Sequence, residues 1–558
     1  MPTRQEMWDR LGEPVDVLVI GGGINGAGIA RDAARRGLSV AMVEMRDLAW
    51  GTSSRSSKLV HGGLRYLEQF EFSLVFEAVS ERRILLDIAP HLVHPLGFVF
   101  PVYQSSRKPL AMINAGMWLY EGLSLFRSPK RHKTLKPEEV KQVEPALNVE
   151  GLKGAPLYYD CSTDDARLTL ESAIDATQQG AMVVTWARAA GFEHDEETGR
   201  IKAVVVEDAL SGERKVVEAQ AVINATGPWT DRTVAMGNGP KQRLLRPTKG
   251  THAVVEHHKL PVNHAVVCFH PSDGRVLFAI PWGDRTYLGT TDTDYQGDPA
   301  EVAATGDDIT YLLEATNHHF PEHTLTPDDV ISTWSGLRPL MSPPSTKGDI
   351  DESSVSREHQ IIVSQDGLIT IAGGKLTTYR RMSAEVVDTA VKVLRAVQGN
   401  RPRLRPADTD TEPLPGAVGW PEEGGTESIA GQAREIAGES LSEGSAMALA
   451  RIYGVRALDI ARLIKEEPEL GQPLVEGRHE VMAQVVWGVT EEMAAEVTDV
   501  MTRRTQLFYR DFDQGLGAID LIADRMAALL GWDEARKAAS IERYRQEVAL
   551  SRQWQHDK

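Results

Sequence analysis

With 558 residues, 61 Lys plus Arg against 79 Asp plus Glu and a formal charge of −18, the chain is long enough for two or three domains and ill suited to general nucleic-acid binding. Any anionic ligand must find a local cationic pocket. The two cysteines, Cys161 and Cys268, exclude a disulfide framework, a Cys-rich zinc site and a four-thiolate iron–sulfur cluster, so no metal is expected and a reducing compartment is.

The opening, "MPTRQEMWDRLGEPVDVLVI", lacks the uninterrupted apolar core of a secretion signal, and no run of about 20 apolar residues appears in the chain. The stretch "VDVLVIGGGINGAGIARDAARRGLSVAMVE" then reads as strand, glycine turn, helix and second strand. Gly21, Gly23 and Gly26 give G-x-G-x-x-G: the first permits the tight turn, the second admits a pyrophosphate to the backbone, and the third lets helix pack on strand. Glu44 ends the second strand, where a carboxylate bonds a ribose hydroxyl, and the helix N-terminus supplies attraction for an anion.

Next comes "TSSRSSKLVHGGLRY", residues 52–66, crowded with hydroxyl and basic groups. Alone it would pass for a solvated loop, but after a dinucleotide unit it points to a ligand. "FSLVFEAVSERRILLDIAP" has helical period and "HPLGFVFPVY" is extended. "PLAMINAGMWLYEGLSLF", residues 109–126, is apolar at helical spacing and flanked by Arg107, Lys108, Arg127, Lys130, Arg131 and Lys133. It suits either a buried core helix or an interfacial helix held by basic flanks. A capped helix begins near Asp164 in "DDARLTLESAIDATQQG", and a β-meander follows to "AVINATGPW". Strands around "THAVVEH" and "VLFAIPWGDRTYLGTTDTDY" precede a hairpin, "HQIIVSQDGLITIAGGKLTTY", which leads into a helix. Residues 401–425 are rich in Pro, Gly and acid and read as a linker, and the remainder is helical.

Nicotinamide and flavin enzymes share the opening unit, and two later turns favour flavin. "AVINATGPW" runs a buried strand into an Ala-Thr-Gly turn where backbone passes close to a cofactor. "LITIAGGKLTTY" sets a Gly pair at a helix start, whose N–H groups and dipole favour negative charge on a reduced isoalloxazine.

These segments together, with "TSSRSSKLVHGGLRYLE", "DDARL", "SGLRPL" and "AGGKLTTYR", resemble the FAD-dependent glycerol-3-phosphate dehydrogenase family of the aerobic, quinone-linked kind, from about residue 14 to the C-terminal helices. The resemblance implies an α/β fold: a Rossmann-like FAD-binding domain of the glutathione-reductase/D-amino-acid-oxidase type, interleaved with an antiparallel-sheet substrate domain, plus a helical C-terminal domain. The expected divisions are 14–90, 155–245 and 350–398 for FAD, 91–154 and 246–349 for substrate, 399–425 as linker and 426–550 as the helical domain. It implies oxidation of sn-glycerol 3-phosphate to dihydroxyacetone phosphate, with electrons passed to membrane quinone by a homodimer docked peripherally on the cytoplasmic face of the membrane.

Carried over residue by residue, the family reading lays Thr52, Ser53, Ser54 and Ser57 along FAD with Gly63, Ala225, Gly227, Gly373, Gly374, Leu376 and Thr377. It sets His61 by the flavin ring, and Arg65, Tyr66, Arg338, Arg357 and Lys375 around the substrate. Guanidinium forks and a lysine point charge are what a phosphate ester needs in a protein of this charge. Hydride transfer from C2 also requires a base for the C2 hydroxyl proton. His61 is the first candidate, Lys249 and His252 of "TKGTH" are alternatives, and Arg338 could stabilise a developing alkoxide. Two rival readings are an oxidase that reduces oxygen and a flavin-bound scaffold without turnover.

Overall fold

The computed structural model describes residues 1–64, 67, 70–125, 128–238, 243–342, 359–398 and 404–557. The apolar run Val15–Ile20 is a central strand of the first sheet, parallel to Val40–Val43 on one side and to Arg214–Asn224 on the other. Met182–Val184 and Ile369–Ala372 extend the parallel order outward, and Gln360–Val363 closes one edge antiparallel. Val15–Ile20 and Val40–Val43 are short apolar runs because both faces are covered, one by helices and the other by the β-meander of residues 187–217. Ile24–Arg35 packs against both Asp165–Gln178 and Tyr379–Gln398, and their Ala, Val and Leu side chains form one core with the sheet. Strands far apart in sequence therefore end side by side: Ile20 leads to Gly21, Asn224 to Ala225 and Ala372 to Gly373. The carboxyl ends of parallel strands are where such folds bind ligands.

The second sheet is largely antiparallel. Leu245–Glu256 lies between Val330–Met341 and Arg285–Gly289, and the sheet continues through Val276–Trp282, Ala265–Phe269, Val93–Val99 and Leu152–Thr163. Its last strand, Leu59–Val60, belongs to the hydroxyl-rich segment, which thus crosses from one sheet to the other.

The Pro- and Gly-rich connector is held down: Leu414 N–H donates to Ile88 O at 2.8 Å and Arg31 Nη1 to Thr409 O at 3.2 Å. Helices from Gly425 to Arg552 then pack around Tyr453, Val485, Phe508 and Tyr544, in an apolar core that continues into Tyr287 and Trp334 of the second sheet.

Helix Leu110–Leu123 buries Met117, Tyr120 and Glu121, while Met112, Trp118 and Leu119 are 57%, 60% and 44% exposed. The core-helix reading holds for one face, where Met117 and Tyr120 join the apolar core, and fails for the other. Among the described residues, no helix is long and apolar enough to cross a membrane.

Candidate active site

The two sheets enclose a cavity of about 1470 Å³ that runs from the glycine turn to the strand bearing Arg338. At its first end the backbone approaches as closely as the sequence requires. A Cβ on Gly21, at φ +108°, would lie 2.6 Å from Ala225 O, and one on Gly26 would lie 1.8 Å from Gly21 O. The third glycine therefore serves helix–strand packing, and it does not line the cavity. A Cβ on Gly23 would lie 3.1 Å from Ser53 Oγ. Gly23 caps helix Ile24–Arg35 without a side chain of its own, and Ser53 Oγ accepts the Ile24 N–H at 2.9 Å instead.

Glu44 faces this turn, accepting the Gly22 N–H at 2.6 Å and the Arg46 N–H at 2.9 Å. Burial raises its pKa, and those two hydrogen bonds oppose the rise. Ala225 and Gly227, with Gly373 and Gly374 at positive φ, form the adjoining wall. This is a glycine-lined cradle with a half-buried carboxylate at a helix N-terminus, the set of groups a dinucleotide needs, and the residues fit FAD.

The hydroxyl-rich segment is stitched into the protein. Thr52 donates to Leu337 O at 2.7 Å, Ser56 Oγ to Asp165 at 2.7 Å, and Ser57 Oγ shares a hydrogen bond with His252 Nε2 at 2.9 Å. From the other side, Tyr287 OH and Trp334 Nε1 donate to the carbonyls of Ser57 and Ser56. Thr52, Ser53 and Ser57 still line the cavity, whereas Ser54 is buried and turned away from it. Lys58 faces inward too: its Nζ lies 2.6 Å from Asp165, within 6 Å of the Trp282, Trp334 and Tyr509 rings. Burial alone would lower the Lys58 pKa, but Asp165 and Asp164 raise it. The "DDARL" motif is thus structural, since Asp164 caps helix Asp165–Gln178, Asp165 pins residues 56–58, and Arg167 pairs with Glu492 of the C-terminal helices at 2.6 Å.

His61 is exposed to the cavity. Its N–H donates to Thr377 Oγ1 at 3.1 Å, and the same hydroxyl donates to His61 O at 3.2 Å. Lys375 and Leu376 line the cavity beside it, as does Gly63 at φ +72°. Behind this turn Gly62 sits where a Cβ would lie 2.2 Å from Tyr120 OH, which donates to Asp160 at 2.8 Å, with Arg82 paired to the same carboxylate.

Arg338 reaches the cavity from the second sheet, opposite Thr248 in the Leu245–Glu256 strand. Its guanidinium donates to Asp292 Oδ1 at 3.0 Å, Thr290 Oγ1 at 3.1 Å and Thr291 O at 3.2 Å. Gly250 leaves room for it, since a Cβ there would lie 2.6 Å from Arg338 Nη2.

The two alternative bases are placed differently. Lys249 is buried in an ion pair with Asp308 at 2.6 Å. His252 is buried and stacked on Trp334 at 4.7 Å, with its pKa pushed well below the usual value by burial first and then by Arg338 and Lys58. Neither lines the cavity, and His252 reaches its wall through the hydrogen bond to Ser57. Arg65, Tyr66 and Arg357 lie outside the described residues.

Sequence reasoning missed Trp50 and Trp229, stacked at 5.3 Å on the cavity wall, and Asp292 and Asp160. Trp229 ends the quoted segment "AVINATGPW" and Trp50 lies two residues before "TSSRSSKLVHGGLRY", so both could have been found by position. Asp292 lies within the quoted segment "VLFAIPWGDRTYLGTTDTDY", whereas Asp160 carries no local signal.

A family model described as FAD dependent oxidoreductase matches residues 16–380, and one described as the C-terminal domain of alpha-glycerophosphate oxidase matches 407–537. A glycerol-3-phosphate dehydrogenase from Synechocystis sp. is 40% identical over 543 residues, 95% of each chain. An aerobic glycerol-3-phosphate dehydrogenase from Staphylococcus saprophyticus is 36% identical, over 94% of this chain and 92% of its own. The crystal structure of the glycerol-3-phosphate dehydrogenase from Bacillus halodurans complexed with FAD superposes with a TM-score of 0.80 at 32% identity, covering 98% of this chain and 97% of that one. An L-alpha-glycerophosphate oxidase from Mycoplasma pneumoniae, at 17% identity and a TM-score of 0.53, shares the fold alone. With matches along nearly its whole length, the chain belongs to the FAD-dependent glycerol-3-phosphate dehydrogenase family of FAD oxidoreductases.

Proposed function

We propose that the protein oxidises sn-glycerol 3-phosphate to dihydroxyacetone phosphate and delivers the electrons to a membrane quinone. One observation carries the reading: a single cavity joins the glycine cradle and Glu44 to His61, Lys375 and Arg338. Bound FAD supplies the acceptor for the hydride leaving C2. Arg338 and Lys375 hold the phosphate, and Asp292 fixes the Arg338 guanidinium in its plane. His61, stapled through its backbone to Thr377, takes the C2 hydroxyl proton. Arg65, Tyr66 and Arg357 are assigned to the substrate through the family motif.

Peripheral docking on the inner face of the membrane is supported by the exposed apolar face of helix Leu110–Leu123, whose Ile113 lines the same cavity. Assembly as a homodimer belongs to the same reading. The deciding experiment is anaerobic addition of glycerol 3-phosphate, which should bleach the flavin at once, followed by reoxidation with a short-chain quinone or with oxygen. A flavin that glycerol 3-phosphate leaves oxidised would point to a scaffold. Oxygen outrunning quinone, with stoichiometric peroxide, would point to an oxidase.

A further inference from the structure

The segment between strands Val40–Val43 and Leu59–Val60 presents Glu44, Arg46, Trp50, Thr52, Ser53 and Ser57 to the cavity, yet one short turn, Thr52–Ser54, is its only regular structure. Its opposite side is gripped by the C-terminal helices. Asp47, fully buried, accepts from Arg503 Nε at 2.5 Å and from Arg504 Nη2 at 3.0 Å. These two arginines are adjacent in sequence, and both reach one carboxylate from a single π-helical turn, Val500–Arg504. Arg503 is braced in turn by Asp499 at 2.9 Å, and Arg504 by Glu492 O at 2.6 Å. Asp499 also accepts from Trp186 Nε1 at 3.1 Å, while Trp186 N–H donates to Arg46 O at 2.7 Å. Further along, Glu547 accepts from Arg55 at 2.9 Å, and the Arg55 guanidinium lies 5.8 Å from the ring of Trp50, which stacks on Trp229 in the cavity wall. At the end of the segment, Tyr509 lies beside Lys58.

Resting on the FAD reading above, we propose that the helical C-terminal domain is a cofactor clamp, in which Arg503, Arg504 and Glu547 are positioning residues that hold segment 44–58 in its FAD-binding shape. The electrostatics agree with the geometry. Asp47 sits three residues from Glu44 and its charge acts on that carboxylate, so unless neutralised it would repel both the Glu44 carboxylate and an anion bound beside it. The arginines hold the Asp47 carboxyl below its usual range against the effect of burial. Undocking the helices would remove that neutralisation and the brace behind Trp50 together.

The test is the rate of FAD release from the full-length holoenzyme, followed by the rise of free flavin fluorescence, with FAD content per chain and the circular dichroism of each variant. Wild type should carry FAD; a colourless wild type would overturn the FAD reading itself. Glu547→Arg, which sets like charges together at a partly exposed site, should speed release on the order of ten-fold with helicity unchanged. The swap Arg55→Glu with Glu547→Arg should return the rate to within about two-fold of wild type. Arg503→Gln should lose FAD where Arg503→Lys retains it. Release at the wild-type rate from folded Glu547→Arg, or a swap as leaky as the single variant, would overturn the clamp, and this pair decides it even if Arg503→Gln does not fold.

Discussion

The Thr377 hydroxyl both accepts the His61 N–H, at 3.1 Å, and donates to the His61 carbonyl, at 3.2 Å, joining two motifs 316 residues apart at one point of the cavity. The backbone of His61 is thereby fixed while its side chain remains exposed to the cavity, as a proton acceptor requires. His61→Asn should keep FAD bound but slow the reductive half-reaction about 100- to 10,000-fold, the usual contribution of a general base. The pH dependence of reduction should disappear with it. Stopped-flow reduction by glycerol 3-phosphate checks this. A rate within a few-fold of wild type would remove His61 from the chemistry, and the burial of Lys249 and His252 would leave neither as a ready substitute.

Arg338→Ala should lower kcat/KM for glycerol 3-phosphate by about 10- to 100-fold, since a charge-assisted hydrogen bond to a phosphate oxygen is worth roughly 1.5 to 3 kcal/mol. The loss exposes the Asp292 carboxylate to the substrate's phosphate, so Arg338→Ala combined with Asp292→Asn should recover part of it. Free glycerol should be a poor substrate from the outset and be affected much less. Equal losses toward both substrates would assign Arg338 to chemistry or folding.

The opening βαβ unit and its three glycines were legible because their signals are local: period, turn and spacing lie within 30 residues. The cavity's glycine walls at residues 225–227 and 373–374 were legible from strand-to-turn transitions. The tasks of the hydroxyls in segment 52–57 were not. Ser56 finds Asp165, Ser57 finds His252 and Thr52 finds Leu337, and only the pairing of two sheets brings these partners together. The same holds for Lys249 of "TKGTH", whose position suggests chemistry but whose ammonium is paired with Asp308. For helix Leu110–Leu123 the period gave a helix, and what covers its faces depended on the fold.

Buried neutral histidines should make stability fall in mild acid. Burial first, then neighbouring positive charge, lowers the pKa of His91 and His252 well below 6.5 and that of His319 to about 4. Between these values and 6.5 the unfolded chain binds protons that the folded one does not, so stability drops as pH falls below about 6.5, by up to about 1.4 kcal/mol per unit for each group. Glu492, held at about 2 by Arg167 and Arg456 against burial, begins to add to the loss only nearer pH 4.5. Asp499, raised to about 7 by burial, acts in the opposite direction over part of this range and offsets about one histidine's share. Urea midpoints from pH 7.5 to 5 should therefore decline on balance, and His319→Gln should reduce the slope. A flat midpoint across that range would contradict the prediction.

The final prediction concerns the exposed helix. Met112, Trp118 and Leu119 on helix Leu110–Leu123, Leu125 beyond its end, and Phe70, Phe72 and Phe76 at the start of a neighbouring helix leave large apolar side chains in water, Phe70 at 77% exposure. Scattered exposed apolar residues need no explanation, but two adjoining helices sharing them do. Arg107, Lys130, Arg131 and Lys133 are exposed around the same helix, and each basic residue near an anionic surface contributes about 1 kcal/mol. That attraction would offset the repulsion expected from a chain of charge −18. The protein should sediment with anionic liposomes at low salt and less at high salt, since the electrostatic part is screened while the apolar part is not. Replacing Met112, Trp118 and Leu119 together with Ser should abolish sedimentation and slow reoxidation by a long-chain quinone in liposomes, while reduction by glycerol 3-phosphate stays within about two-fold. The side chains are already in water, so their removal costs the fold little. A variant that still sediments like wild type would move the docking surface elsewhere on the molecule.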